Sequence, residues 1–138
     1  MDDDAQDLAR ALARPTGAFL ATASRAEVAA DARAAAREAG CSPAALAALA
    51  DYRFVDEVHE VGLGRYVRWA RRGAGALTAG GVVVDLRFGA TGTTVMVRGA
   101  RGRLFQYRMD DCATFQKLSR EEAWVLAVGD ALRGDEDL

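Results

Sequence analysis

Apolar positions recur at helical spacing near both ends of the chain and at strand spacing in its middle third. Residues 3–14 (DDAQDLARALAR) place Leu8 and Leu12 four apart, with acids in the first turn and arginines in the last, a short amphipathic helix that Pro15 and Gly17 end. Phe19 and Leu20 anchor the apolar link 18–22. Ser24-Arg25-Ala26-Glu27 is a capping box for a helix running to about Ala39, with Gly40 at its C′ position. Val28 is that helix's only sizeable apolar side chain, so it packs closely by its alanine face or lies mostly exposed. Ser42 as N-cap and Pro43 at the first helical position restart a helix with Leu46 and Leu49 on one face.

From Asp51 the spacing changes. DYRFVDEVHEV is best read as a strand, although Phe54, Val55, Val58 and Val61 also fit a helical stripe. Across residues 61–108 short apolar runs alternate with glycine clusters. RYVRWAR is a strand, Gly73-Ala74-Gly75 a break, and Gly80-Gly81 a tight entry or bulge. In VVVDLRF, alternation sends Val82, Val84, Leu86 and Phe88 one way and Val83, Asp85 and Arg87 the other. Hairpin loops at 89–92 and 99–102 lead into TTVMVR and RLFQYRM, where Phe105, Tyr107 and Met109 share a face. After CATFQKL, Ser119 and Glu122 form a second capping box, and Leu118 can staple against Ala123. The final helix carries Trp124, Val125, Val128 and Leu132.

These elements predict an α+β fold. Residues 1–50 form an acidic, alanine-rich helical region, residues 51–133 a small antiparallel β-barrel plus a closing C-terminal helix, and residues 134–138 an acidic tail. Short strands spaced about ten residues apart predict four or five of them in a small barrel, SH3-like or OB-like, or a strongly curled sheet.

Composition adds bounds. The 138 residues fit one domain, and although 51% are hydrophobic, many are alanine, so the core leans on few large side chains. No run approaches the ~18 apolar residues of a membrane span, and the start MDDDAQD is acidic where a signal peptide is basic. An intracellular location is expected. Cys41, Cys112 and one histidine cannot supply four zinc ligands, and no CxxC is present. Two reduced structural cysteines are expected, with a single disulfide as the alternative.

Charge is unevenly distributed. Residues 61–108 hold nine arginines and one acid, whereas residues 1–60 and 109–138 each carry a net charge of −5. Arginine outnumbers lysine seventeen to one. With the alanine richness, that bias matches GC-rich coding and tempers any argument from arginine counts.

Several of these stretches recur in a fixed order: Arg65-Tyr66-Val67-Arg68-Trp69, Leu77-Thr78-Ala79-Gly80-Gly81-Val82-Val83, Phe105-Gln106-Tyr107, then Phe115-Gln116-Lys117-Leu118-Ser119 with Glu121-Glu122. This order resembles short, uncharacterised proteins encoded by large double-stranded DNA viruses of eukaryotes. The resemblance covers about residues 60–130 and leaves out the alanine-rich half. It implies a viral origin, a place in the host cytoplasm or nucleus or in the virion, and a virion or genome-packaging context. It brings no catalytic residue.

No constellation of an enzyme is legible. His59 sits between Glu57 and Glu60 as a surface or edge histidine; Asp110-Asp111 and Glu121-Glu122 are explained by a turn and a cap; Asp85 lies among arginines as an ion-pair partner. Neither GAGALTAGG nor GATGTT is a phosphate loop. The chain is therefore expected to be non-catalytic, with no cofactor, metal or small-molecule substrate and no membrane partner. Its candidate binding surface is Arg65, Arg68, Arg71, Arg72, Arg87, Arg98, Arg101 and Arg103 with Tyr66 and Trp69. Two partners fit that surface. A protein partner or self-association through complementary charge blocks makes the chain an assembly module; a single-stranded nucleic acid makes it a nucleic-acid-binding barrel. Trp69, Phe105 and Tyr107 are expected mainly as core.

Overall fold

The computed structural model describes Leu20 and residues 23–136. The helix expected over 3–14 lies outside the described residues. In chain order the described elements are α1 (Arg25–Glu38), α2 (Pro43–Ala48), β1 (Tyr52–Val55), β2 (Tyr66–Arg71), β3 (Gly81–Gly89), β4 (Gly92–Arg98), β5 (Leu104–Arg108), β6 (Cys112–Lys117) and α3 (Arg120–Glu136). The fold is α+β. Among the described residues, 29–117 form one compact unit, and Leu20 and 23–28 with 118–136 belong to another.

In the first unit the six strands make one antiparallel sheet in the order β1-β6-β2-β3-β4-β5. β6 is the strand that alternation did not reveal. It lies between β1 and β2, where Phe115 is paired with both Phe54 and Arg68. Cys112, Ala113, Thr114, Phe115 and Gln116 are all buried, and the alternation of Ala113 and Phe115 with Thr114 and Gln116 spans only four residues, too few to stand out. β1 is a short strand, as preferred, and Val58–Glu60 then forms a single 3-10 turn.

The two sheet faces bury different clusters. On one, the alanine face of α1 settles its ambiguity by packing tightly: Ala32, Ala35, Ala36 and Ala39 lie against Tyr52, Ala70, Ala113 and Phe115, with Leu49 beside them. Methyl groups let a helix approach a sheet closely, and the glycines at its end continue that approach. Gly40 N–H donates to the Arg37 carbonyl and Cys41 N–H to that of Ala36, a paired helix stop. A Cβ on Gly75 would sit 2.1 Å from the Gly40 carbonyl oxygen, so only glycine fits where the β2–β3 loop passes the helix end.

The other face is concave. Val55, Val67, Val83, Val95, Val97, Tyr107, Met109 and Cys112 fill it. The curl is strong enough that Tyr107 of β5 stacks on Trp69 of β2, ring centroids 4.4 Å apart, and its hydroxyl lies 3.0 Å from Thr114 Oγ1 of β6. Even so, β1 pairs only with β6 and β5 only with β4. The expected barrel of four or five strands is thus an open, curled sheet of six, because β6 adds a strand and no ladder joins the two edges.

A bulge between Val83 and Asp85 corrects the alternation expected in β3. One extra residue reverses the parity. Val83 is buried at 1% exposure, whereas Val82 and Val84 are 38% and 41% exposed.

Cys41 and Cys112 are free thiols belonging to clusters on opposite faces. Burial, with Asp111 adding and Arg71 and Arg72 opposing, raises the Cys112 thiol above its usual range.

In the second unit α3 opens with a reciprocal capping box. Glu122 N–H donates to Ser119 Oγ at 3.1 Å and Ser119 N–H to Glu122 Oε1 at 2.8 Å. The buried stripe runs through Val125 and Leu126, which join Leu20, Ala23 and Val28. Leu132, expected on that stripe, is 61% exposed. α3 continues to Glu136, into the stretch expected as an acidic tail. Among the described residues no helix is long and apolar enough to cross a membrane.

Candidate functional site

The chain crosses one end of the concave face twice, after β2 and between β4 and β5. The first crossing is pinned back along β2. Trp69 N–H donates to Thr78 Oγ1 (3.1 Å), Thr78 N–H to the Trp69 carbonyl (2.9 Å), Arg68 Nε to the Thr78 carbonyl (2.7 Å) and the Tyr66 hydroxyl to the Ala79 carbonyl (2.6 Å). The second crossing is a tight loop in which Gly99 N–H donates to the Arg103 carbonyl at 2.7 Å. Within it Arg101 has φ 59° and ψ 22°, and among the described residues it is the only non-glycine residue with positive φ.

Between these crossings lies an open groove of about 640 Å³. Residues 78–80, Ala100, Arg101 and Arg103 line it, together with the rings of Trp69 and Phe105. Arg103 places its guanidinium carbon 5.6 Å from the Phe105 ring centre, within cation–π range. The half-buried Trp69 is held by stacking on Tyr107, which is itself deeply buried. Burial, with a contribution from Cys112 and against the Thr114 hydrogen bond, pushes the Tyr107 phenol up to about 12. At neutral pH that phenol is a neutral support for Trp69 rather than an acid–base group.

The expected basic stripe is divided among separate tasks. Arg65 donates to the Lys117 carbonyl at 2.7 Å and Arg68 to Thr78, so both tie strands and loops together. Arg87 pairs with Asp85 at 3.3 Å on the exposed hairpin, and Arg108 pairs with Asp111 and the Thr91 carbonyl. Arg71 and Arg72 lie exposed at the far end of β2. There Arg72 lines a smaller cavity of about 290 Å³ with Asp56, Glu57 and Asp110, which offset its charge. Arg98, Arg101 and Arg103 converge on the β4–β5 loop, where an added Cβ on Gly102 would lie 4.0 Å from an Arg98 guanidinium nitrogen. None of these three forms an ion pair among the described residues.

Of the ten side chains expected on the binding surface, Trp69, Arg101 and Arg103 line the groove, Arg98 reaches the β4–β5 loop from the outer face, and Tyr66 and Arg68 hold the groove's wall. Phe105, expected mainly in the core, lines the groove at 41% exposure, and Thr78, not among the expected residues, lines it too. The Gly80-Gly81 pair was the available signal. A Cβ on Gly80 would meet the Val67 carbonyl at 2.2 Å, so the glycine lets the wall lie against β2.

His59 is exposed on the 3-10 turn and does not line the groove. Among the described residues no three His, Cys, Asp or Glu side chains are grouped as metal ligands. No protein-family model matches this chain, and no curated protein or solved structure matches it significantly.

Proposed function

We propose that the protein is a non-catalytic interaction module whose working surface is the groove between the β2–β3 and β4–β5 loops, and that this surface takes an anionic partner. The observation that carries it is the pairing of Arg101 and Arg103, without carboxylate partners among the described residues, beside the Trp69 and Phe105 rings. Unneutralised guanidinium groups around an apolar lining raise the local concentration of anions and leave flat surface to bury. The resemblance to virus-encoded proteins supports a role for such a module in the infected cell or the virion.

Retention on a polyanion column tests this proposal. Arg101→Glu combined with Arg103→Glu is expected to abolish retention, while Arg87→Glu leaves most of it. Equal losses from both variants would mean that binding is spread over the surface and that the groove is not the site. Protein-dependent turnover of nucleotides or peptides, lost in a groove variant, would sink the non-catalytic part.

Self-assembly is the second reading, and one feature favours it. Tyr66, Val82, Arg98 and Leu104 stand in one row across the outer face of β2–β5, and all but Arg98 are large exposed hydrophobic side chains. Sedimentation at rising concentration, free of nucleic acid, should then show a growing mass that Val82→Lys suppresses. A monomer at every concentration removes this reading.

A further inference from the structure

We infer that the partner of the groove is single-stranded nucleic acid, with phosphates on Arg101 and Arg103 and a base against the ring surface of Trp69 and Phe105. The inference rests on the groove being the binding surface and adds the class of partner. Three observations lead to it.

The first is the lining itself. Two aromatic rings beside guanidinium groups suit a strand whose bases offer π-faces and whose backbone carries regular charge.

The second observation is conformational. Arg101 occupies the left-handed region at φ 59°, where an L side chain is strained and glycine or asparagine is at ease. Arginine holds this position although Gly102 is next to it. That placement brings two guanidinium groups, from Arg101 and Arg103, onto one side of the groove. Strain of this kind persists where surrounding structure enforces it and concentrates at binding sites.

The third observation separates a nucleic acid from an acidic peptide. An extended peptide binds by adding main-chain hydrogen bonds to a free backbone edge. In residues 78–80 the Thr78 N–H, the Thr78 carbonyl and the Ala79 carbonyl are already engaged by Trp69, Arg68 and Tyr66. That wall of the groove therefore offers rings and cations in place of a backbone ladder, and poly-L-glutamate tests an acidic strand added along the open edge of β5.

Fluorescence anisotropy with the full chain tests the inference on a labelled oligothymidylate of ~12 nucleotides, an abasic strand of the same length, the matching duplex and poly-L-glutamate. The oligothymidylate is expected to bind roughly 5- to 150-fold tighter than the abasic strand, the range of one base stacked on an aromatic ring. Phe105→Ala should remove most of that preference, weakening the thymidylate strand far more than the abasic one. Phe105→Leu, which keeps apolar bulk without the ring, should do the same and so separates ring loss from fold loss. Arg101→Gly with Arg103→Gln should weaken both strands and flatten the salt dependence by about 0.7 per guanidinium removed.

Equal affinity for the thymidylate and abasic strands, or for the duplex, overturns the inference. Tighter binding of poly-L-glutamate, lost in the arginine variants, overturns it in favour of an acidic protein partner and leaves the groove proposal standing. No binding of any probe removes both.

Discussion

Two halves of one sheet carry different loads. In β1-β6-β2 both faces are covered, by the α1 alanines on one side and the valine-rich concavity on the other, and β6 is buried from Cys112 to Gln116. In β3-β4-β5 only the concave face is covered, and Val82, Val84 and Leu104 face solvent. The covered half is built for cohesion. The open half presents the loop that bears Arg101 and Arg103, together with β5, one of the sheet's two edges. The outer face of the open half is left without a second layer.

The largest test of this contrast truncates one large side chain in each half. Phe115 is fully buried and touches the α1 alanines, so Phe115→Ala is expected to cost about 3–5 kcal/mol in chemical denaturation. Leu104→Ala, on the open half at 57% exposure, should change stability by less than about 0.5 kcal/mol. Similar losses at both positions would mean that the outer face of the open half is covered in solution.

A second test reads the curl that brings β5 over β2. Tyr107 has its phenol raised to about 12, from about 10 in an unfolded chain. Because the folded state disfavours the anion, the contribution is complete below about pH 10 and is lost as pH rises toward 12. The loss should amount to about 2–3 kcal/mol on top of general alkaline denaturation. Tyr107→Phe removes the step and also the hydrogen bond to Thr114. Stability that falls identically in both proteins above pH 10 would show that Tyr107 is not enclosed as described.

Much of the fold was legible because local chemistry fixes local structure. Ser24, Ser42 and Ser119 cap helices where the sequence placed them, and Gly40 ends α1. What was not legible depends on distant residues or on parity. CATFQK does not stand out as a strand because its apolar–polar alternation spans only Ala113 to Gln116, and its partners Phe54 and Arg68 lie far away in the chain. One bulged residue in β3 exchanged Val83 for Val82 and Val84 as core. For the groove, the sequence supplied the residue types but not their division. Nine arginines in one stretch look alike until Arg65, Arg68, Arg87 and Arg108 take partners and Arg98, Arg101 and Arg103 do not.

A third test bears on the closeness of the covered half. Ala36 is fully buried between α1 and the sheet, and Ala36→Leu adds three carbons where methyl groups set the spacing. Overpacking of this kind should cost about 1–3 kcal/mol. A neutral or stabilising result would reveal slack in the interface that Gly75, in contact with Gly40, argues against.

The smallest effect has the sharpest sign. Arg101 and Arg103 sit two residues apart in the same loop, both exposed and both arginine, but at φ 59° and φ −68°. Glycine at either position enlarges the conformational freedom of the unfolded chain, a cost of about 0.5–1 kcal/mol. At Arg101 it also relieves left-handed strain of about 1–2 kcal/mol, so Arg101→Gly should raise stability by about 0.5–1 kcal/mol. At Arg103 there is no strain to relieve, and Arg103→Gly should lower stability by the entropic cost alone. Paired urea titrations of the two variants read this difference directly. Opposite signs would show that the open half keeps an arginine against the preference of its own backbone, whereas two losses would make Arg101 an ordinary loop residue and withdraw the conformational support for the nucleic-acid partner.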